Sequence, residues 1–165
     1  MQSMKEMSGH EAFLKLSALC ARSEHCQHDM LAKMRQWGVG DEEQAQVMAR
    51  LVEGRYVDDE RFARAFVQDK VRYNKWGRRK VEQALWLKRI DKDIAARVLD
   101  EIDDSEYVSV LKPLLRQKRR TTKAGSEYEL TTKLIKFAMA RGFTMDIIRQ
   151  CVGTDYEGEF PDEGL

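Results

Sequence analysis

Hydrophobic residues in this chain recur at spacings of three and four positions, the period of a helix that buries one face. Three stretches with this spacing align with one another at an interval of roughly fifty residues. They read MLAKMRQWGVGDEEQAQVMARL, VEQALWLKRIDKDIAARVLDEI and LIKFAMARGFTMDIIRQCV. The aligned apolar positions are Met30, Val81 and Leu134; Met34, Leu85 and Ala138; and Val39, Ile90 and Phe143. The pattern predicts the same pair of helices three times.

One further amphipathic helix is predicted before each pair, over roughly residues 10–21, 59–73 and 105–118. The sequence therefore predicts an all-α chain of three tandem three-helix repeats. We expect the repeats at 8–56, 57–104 and 105–153, followed by a flexible acidic tail at 154–165.

Small and polar residues mark the helix ends. Gly38 and Gly142 stand where a helix C-terminus favours positive φ, whereas Arg89 breaks that pattern in the middle repeat. Asp41 with Gln44 resembles a capping box. Pro113 should kink its helix or mark its start. The predicted N-cap residues are Asp41, Asp58, Asp91, Ser105 and Thr144.

Composition favours soluble helices, since 42% of the residues are hydrophobic, 35% are charged and only two are proline. No apolar run is long enough to cross a bilayer, and the N-terminus does not resemble a signal peptide, so we expect a cytoplasmic protein. Cys20, Cys26 and Cys151 are odd in number and irregularly spaced, which is typical of reduced thiols.

The net charge of +1 conceals blocks of one sign. Residues 70–89 contain a single acid, Glu82, and residues 112–123 contain none, whereas 91–106 and the segment from Asp155 onward are mostly acidic. Such basic blocks suit a polyanionic partner, although a solvated helical face accounts for them about equally well on composition alone. The candidate interface residues are Arg72, Lys75, Trp76, Arg78, Arg79, Lys80, Lys88, Arg89, Lys118, Arg119 and Arg120. Trp76 could stack on a base or a partner, or pack in the core.

Two other groups of residues invite a chemical interpretation. The carboxylates in YVDDERF are better explained as the capped start of a helix than as an acid–base pair or a metal site, because adjacent positions there point apart. Cys20, His25, Cys26 and His28 lack the spacing of a zinc site. No phosphate loop, nucleophile elbow or HExxH helix is present, so we expect neither enzyme activity nor a cofactor.

The string GRYVDDERFARAF, followed by KWGRRKVEQAL and KRIDKDI, resembles the centre of the RecX family of regulatory proteins. The opening of the first repeat is also similar to that family, with Arg22 preceding a helix that Ser23 would cap. Two departures are Arg78, where many relatives have Pro, and Arg89, where the repeat has Gly. The residues that carry the family signature are Gly54, Tyr56, Val57, Asp58, Asp59, Phe62, Ala63 and Gly77.

The resemblance implies an elongated, curved array of helices that binds RecA filaments on single-stranded DNA. It implies inhibition of filament extension and of the ATPase, recombinase and coprotease activities, and it leaves direct DNA contact open. A helix-turn-helix module acting on duplex DNA without RecA, and a structural adaptor, are the alternatives. We expect a monomer without a membrane anchor, although Trp37 or Trp86 could mark a protein contact.

Overall fold

The computed structural model describes residues 7–152, and in that range the chain forms nine α-helices and no β-strand. This confirms the predicted all-α class. None of the described helices is long and apolar enough to span a membrane, and the predicted tail at 154–165 lies outside the described residues. The helices are α1 Gly9–Cys20, α2 Gln27–Gln36, α3 Asp41–Glu53, α4 Asp59–Arg72, α5 Arg78–Leu87, α6 Lys92–Asp100, α7 Asp104–Thr121, α8 Glu127–Ala140 and α9 Met145–Val152.

The described residues group into two compact units. Unit 1 comprises the residues up to Ala65 together with Leu85–Ala95. Unit 2 comprises Phe66–Ala84 and the described residues from Ala96 onward. The boundaries of the units fall within α4, α5 and α6, and the borders of the three repeats stay a prediction.

In unit 1, α1 and α2 both pack against α3. Met30 and Met34 from the aligned positions are completely buried, as are Leu16 and Leu51, and Val39 is 4% exposed. Each buried side chain of this size stabilises the fold by about 1.5–3 kcal/mol relative to exposure. The aligned apolar positions are therefore core positions in this unit.

In unit 2, α7 packs against α8 and α9, and α8 also packs against α9. Leu134, Ala138 and Phe143, which occupy the aligned positions of the last repeat, are all buried. Pro113 lies within α7, which begins nine residues earlier at Asp104, so this proline does not mark the start of the helix.

The turn after the second helix of each triplet has the same backbone conformation. Gly38 has a φ of 74° and Gly142 a φ of 92°, as predicted. Arg89 has a φ of 59°, so it adopts the left-handed conformation without being glycine. A side chain in this region costs about 1–2 kcal/mol. The three turns therefore share one backbone conformation, and only the middle turn, at Arg89, is strained by a side chain.

Two of the predicted N-caps are confirmed by their hydrogen bonds. The Asp58 carboxylate accepts from the backbone N–H of Arg61 at 3.0 Å, at the start of α4. The Asp91 carboxylate accepts from the N–H of Asp93 at 2.9 Å, at the start of α6. Thr144 immediately precedes α9, as predicted. Local sequence is sufficient to place these caps because the acceptor and donor are neighbours.

Two predictions of helix starts were wrong. Gly40 is the N-cap of α3, so Asp41 is already helical, and the side-chain amide of Gln44 donates to the Val39 carbonyl at 2.7 Å instead of forming a capping box. The cap of α7 is Asp103, whose carboxylate accepts from the N–H of Ser105 at 3.1 Å. Asp103, two residues before Ser105, is the stronger hydrogen-bond acceptor and therefore caps α7.

The N-terminus of α2 is completed from the next helix triplet, at a contact that we call the first junction. Cys26 is the N-cap of α2 and forms no side-chain cap bond. Instead, the Gln27 backbone N–H donates to Asp59 Oδ1 at 2.9 Å. Ser23, which the family resemblance implied as the cap, contacts His25. The ion pairs of the first junction are Arg61–Glu24 at 2.7 Å and Lys88–Asp29 at 3.0 Å.

The N-terminus of α5 is also completed from the next triplet, at a contact that we call the second junction. The N–H of Gly77 donates to the Arg141 carbonyl at 2.8 Å, and that of Arg79 donates to the Gly142 carbonyl at 3.0 Å. A Cβ on Gly77 would lie 2.3 Å from the Phe143 nitrogen. The two backbones therefore touch directly, and only glycine fits at this position.

The N-terminus of α8 is completed by local residues. The Ser126 hydroxyl accepts from the N–H of Glu129 at 3.1 Å. The Glu129 carboxylate in turn accepts from the Gly125 N–H at 2.9 Å, and this bond, aided by Lys133, lowers the pKa of Glu129. The arrangement is a reciprocal cap within one segment.

Candidate partner interface

Trp76 lies in the loop before α5, next to Lys75 in the sequence, and two further lysines lie near its ring in space. The ring is half-buried, and the ammonium groups of Lys70 and Lys80 lie 5.3 Å and 4.6 Å from its centroid. Both distances permit a cation–π interaction. Lys75 is exposed and has a φ of 59°. Four residues of the first basic stretch therefore lie together at this loop: Lys70, Lys75, Trp76 and Lys80.

Arg141 connects this loop to the second basic stretch. Its guanidinium donates to the Asn74 carbonyl at 3.2 Å and lies 5.1 Å from the centre of the Phe137 ring. The ammonium group of Lys118 lies 5.0 Å from the same ring. Unit 2 thus brings both basic stretches together. We call this group the basic cluster; it consists of Lys70, Lys75, Trp76, Lys80, Lys118, Phe137 and Arg141.

The basic cluster keeps most of its charge uncompensated within the described part of the chain. Lys75, Lys80, Lys118 and Arg141 have no carboxylate within ion-pair distance there, whereas Lys70 lies 3.8 Å from Asp69. Cations that no acid neutralises raise the local potential and attract anionic surfaces. Arg141 was missed at the sequence level because it lies outside both basic stretches.

Several other predicted interface residues are engaged by acids of the same molecule. Exposed ion pairs of this kind contribute little to stability, about 0–1 kcal/mol each, but they reduce the charge offered to a partner. The pairs are Arg72–Glu106 at 2.8 Å, Arg78–Asp100 at 2.7 Å, Lys88–Asp29 at 3.0 Å, and Arg119–Glu127.

The remaining predicted residues are exposed. Arg79 and Arg120 belong to unit 2, and Arg89 belongs to unit 1. The Arg89 guanidinium lies 5.7 Å from the ring of Trp86, which is 58% exposed. Trp37 is half-buried below the ammonium group of Lys15.

The signature residues form a structural constellation around the start of α4. Asp58 caps α4 and Asp59 caps α2, as described above. Burial raises the pKa of Asp59, against the opposing effect of its two bonds from Gln27. Tyr56 packs edge-on against Phe13, with 5.7 Å between ring centres. The other signature residues pack: Phe62 and Ala63 are buried, and a Cβ on Gly54 would lie 2.8 Å from the Tyr56 ring.

The cysteine and histidine residues of the first loop do not converge. Cys26 is buried, which raises the pKa of its thiol to about 11, and His25 shares a hydrogen bond with Ser23. Among residues 7–152, no three His, Cys, Asp or Glu side chains come close enough together to hold a metal ion.

Comparison with known families gives consecutive matches along the chain. Residues 58–99 match the family model of the RecX second three-helix domain, and residues 104–152 match that of the RecX third three-helix domain. The chain belongs to the RecX family. The multiple three-helix domains of that family agree with the predicted fold class.

Individual RecX proteins extend this similarity. The regulatory protein RecX of Acinetobacter baylyi is 29% identical over 150 residues, covering 91% of each chain. That of Lactobacillus johnsonii is 28% identical over 120 residues, which is 73% of this chain but 44% of the relative, so RecX proteins differ in length. The crystal structure of RecX from Lactobacillus salivarius superposes with a TM-score of 0.78 at 17% identity, covering 87% of this chain and 94% of that one. This last likeness shows the fold.

Proposed function

We propose that this RecX protein binds RecA filaments on single-stranded DNA in the cytoplasm and inhibits their extension. Inhibition of the ATPase, recombinase and coprotease activities of RecA would follow, and recombination and repair would be modulated. Membership in a family of regulatory proteins supports a regulatory role over catalysis. The single observation that carries the choice of surface is the basic cluster.

The basic cluster suits a filament because it combines charge with flat apolar rings. Lys75, Lys80 and Lys118 can pair with phosphates or carboxylates, and the rings of Trp76 and Phe137 offer apolar contact. The cations around the rings are already positioned by cation–π contacts, so less side-chain entropy is lost on binding. We propose this cluster as the centre of the interface, with Arg79 and Arg120 at its margin.

The test is a matched pair of charge-reversal variants. The cluster variant carries Lys75→Glu, Lys80→Glu and Lys118→Glu. The control variant carries Arg22→Glu, Arg35→Glu and Lys92→Glu, which are exposed residues of unit 1 with the same total charge change. Equal changes in net charge remove long-range steering as an explanation for any difference.

Binding is measured by co-sedimentation with RecA filaments assembled on single-stranded DNA, and inhibition by the RecA ATPase rate. We expect the cluster variant to bind at least about tenfold more weakly and the control variant to stay within about threefold. Equal losses in both variants would contradict the placement of the interface.

Binding to bare single-stranded DNA and to duplex DNA, measured at two salt concentrations, distinguishes the two alternative hypotheses. Retention that depends on RecA supports the proposal, whereas a preference for duplex DNA without RecA supports a helix-turn-helix regulator. Indifference to all three would indicate an adaptor. Light scattering on the unbound protein tests the proposed monomer.

A further inference from the structure

A groove in unit 2 is formed by α7, α8 and the end of α9. Its cavity volume is about 270 Å³. Lys112, Arg116 and Arg119 line one side, and their spacing of four and three places them on one face of α7. The other lining residues are Leu115, Thr131, Leu134, Cys151 and Val152. We call this cavity the α7 groove.

The lining of the α7 groove defines the chemistry of an occupant. Lys112 and Arg116 are exposed and have no ion-pair partner among the described residues, while Arg119 contacts Glu127. Leu115 and Leu134 supply an apolar floor. A row of cations beside an apolar floor suits a peptide that carries both carboxylates and large apolar side chains.

The chain itself contains such a peptide, directly attached to the groove. Val152, the last described residue, is part of the lining. The residues 153–165 that follow read GTDYEGEFPDEGL, with five acidic residues and no lysine or arginine. Two aromatic residues, Tyr156 and Phe160, alternate with the acids.

Length and tethering favour this occupant over a free peptide. A segment of this size can extend to roughly 40 Å, whereas the three cations of α7 span roughly 10 Å along the helix. A tether this short gives an effective concentration in the millimolar range, so weak contacts suffice for occupancy. A partner in solution would have to compete with it.

We propose that residues 153–165 dock in the α7 groove of the same molecule. Their carboxylates pair with Lys112 and Arg116, and an aromatic side chain covers Leu115 and Leu134. The docked segment shields Arg119 and the neighbouring basic residues of α7 from other anions. The proposal stands independently of RecA binding.

Cys151 provides a probe of groove occupancy in the full-length protein. Cys151 is part of the lining and is half-buried, with its thiol donating to the Val108 carbonyl at 3.9 Å, and Cys20 of unit 1 is a half-buried cysteine outside the groove. The rate of reaction with N-ethylmaleimide is measured at each thiol by mass spectrometry. The test variant neutralises the acids of the tail and carries Asp155→Asn, Glu157→Gln, Glu159→Gln, Asp162→Asn and Glu163→Gln.

Neutralising the tail should release it, so we expect Cys151 to react at least about fivefold faster, with Cys20 changing less than about twofold. Arg116→Glu, at an exposed position of the groove, should also accelerate Cys151; Lys112 is left in place because it lowers the pKa of the Cys151 thiol and its loss would slow the reaction directly. Circular dichroism checks that both variants are folded. An unchanged Cys151 rate in the two variants would overturn the proposal.

A charge exchange and a dilution series complete the test. Combining Arg116→Glu with Glu163→Lys should restore slow reaction of Cys151, and failure to restore it would argue against direct pairing. Protection should persist over about a hundredfold dilution, because the segment is tethered. Protection that disappears on dilution would instead mean that the segment of a second copy fills the groove.

Discussion

The two junctions solve the same problem with different chemistry. In each, the second helix of one triplet has its free N-terminal N–H groups satisfied by the following triplet. The first junction uses the carboxylate of Asp59 on Gln27, with ion pairs around it. The second uses backbone carbonyls on Gly77 and Arg79. A junction made by a side chain responds to pH and salt and can be substituted. A junction made by two backbones in contact requires glycine at the point of contact.

The largest effect is expected at the second junction. Gly77→Ala would place a Cβ 2.3 Å from the Phe143 nitrogen, so two backbone segments would have to separate and lose their hydrogen bonds. We expect the free energy of unfolding to fall by about 3 kcal/mol or more. Urea unfolding followed by circular dichroism measures the loss.

The matched control is Gly40→Ala, because a Cβ there meets no atom within 4 Å. Its cost should stay within about 1 kcal/mol, the usual range for an N-cap change. If the two alanine variants were equally stable, the direct backbone contact would not be essential.

The first junction should be weaker and more tolerant. Asp59→Ala removes the acceptor of the Gln27 N–H, and we expect a loss of about 1–2 kcal/mol. The Gln27 amide should exchange its hydrogen faster while the Arg79 amide in the second junction does not. Hydrogen exchange followed by NMR distinguishes this local effect from global destabilisation, which would accelerate both.

The first junction should also respond to pH. Burial raises the pKa of Asp59 in the folded protein, above its unfolded value of about 3.9. Ionisation is then less favourable in the folded state, so the stability contributed by Asp59 is greatest below the unfolded pKa and falls as the pH rises through the folded one.

Asp59→Asn keeps an oxygen for the Gln27 N–H but does not ionise. The stability of the wild type relative to this variant should therefore fall as the pH rises from below the unfolded pKa of about 3.9 through the raised pKa of folded Asp59. Urea titrations across this range measure the difference. A difference that rises with pH would mean that attraction to the α2 N-terminus outweighs burial.

The smallest expected effect is that of salt. Arg61–Glu24 and Lys88–Asp29 are partly exposed pairs, so screening between about 0.05 M and 1 M NaCl should cost less than about 1 kcal/mol. Comparison of the wild type with Lys88→Met isolates one of them. A salt response that is unchanged in this variant would show that the Lys88 pair contributes nothing.

The sequence was sufficient for features that depend on neighbouring residues. Helical periodicity identified the core positions Met30 and Leu134, and local acceptors identified the caps Asp58 and Asp91. The cap of α7 was misplaced by two residues because several acceptors compete there.

Features that depend on distant residues could not be predicted. The hydrogen bond from Arg141 to Asn74 joins residues 67 positions apart. The sequence alone therefore does not indicate that the two basic stretches lie close together. The resemblance indicated that Gly77 matters but not that a backbone crosses it. Arg89 shows a further limit, since its left-handed backbone is imposed by the fold on a residue that does not favour it.

The local cap of α8 gives the series of triplets a direction. Both α2 and α5 depend on what comes after them, while Ser126 and Glu129 make α8 self-sufficient. The second helix of the third triplet is therefore capped without any contribution from a following triplet. Deleting the third triplet would leave the amides that open α5 without their acceptors.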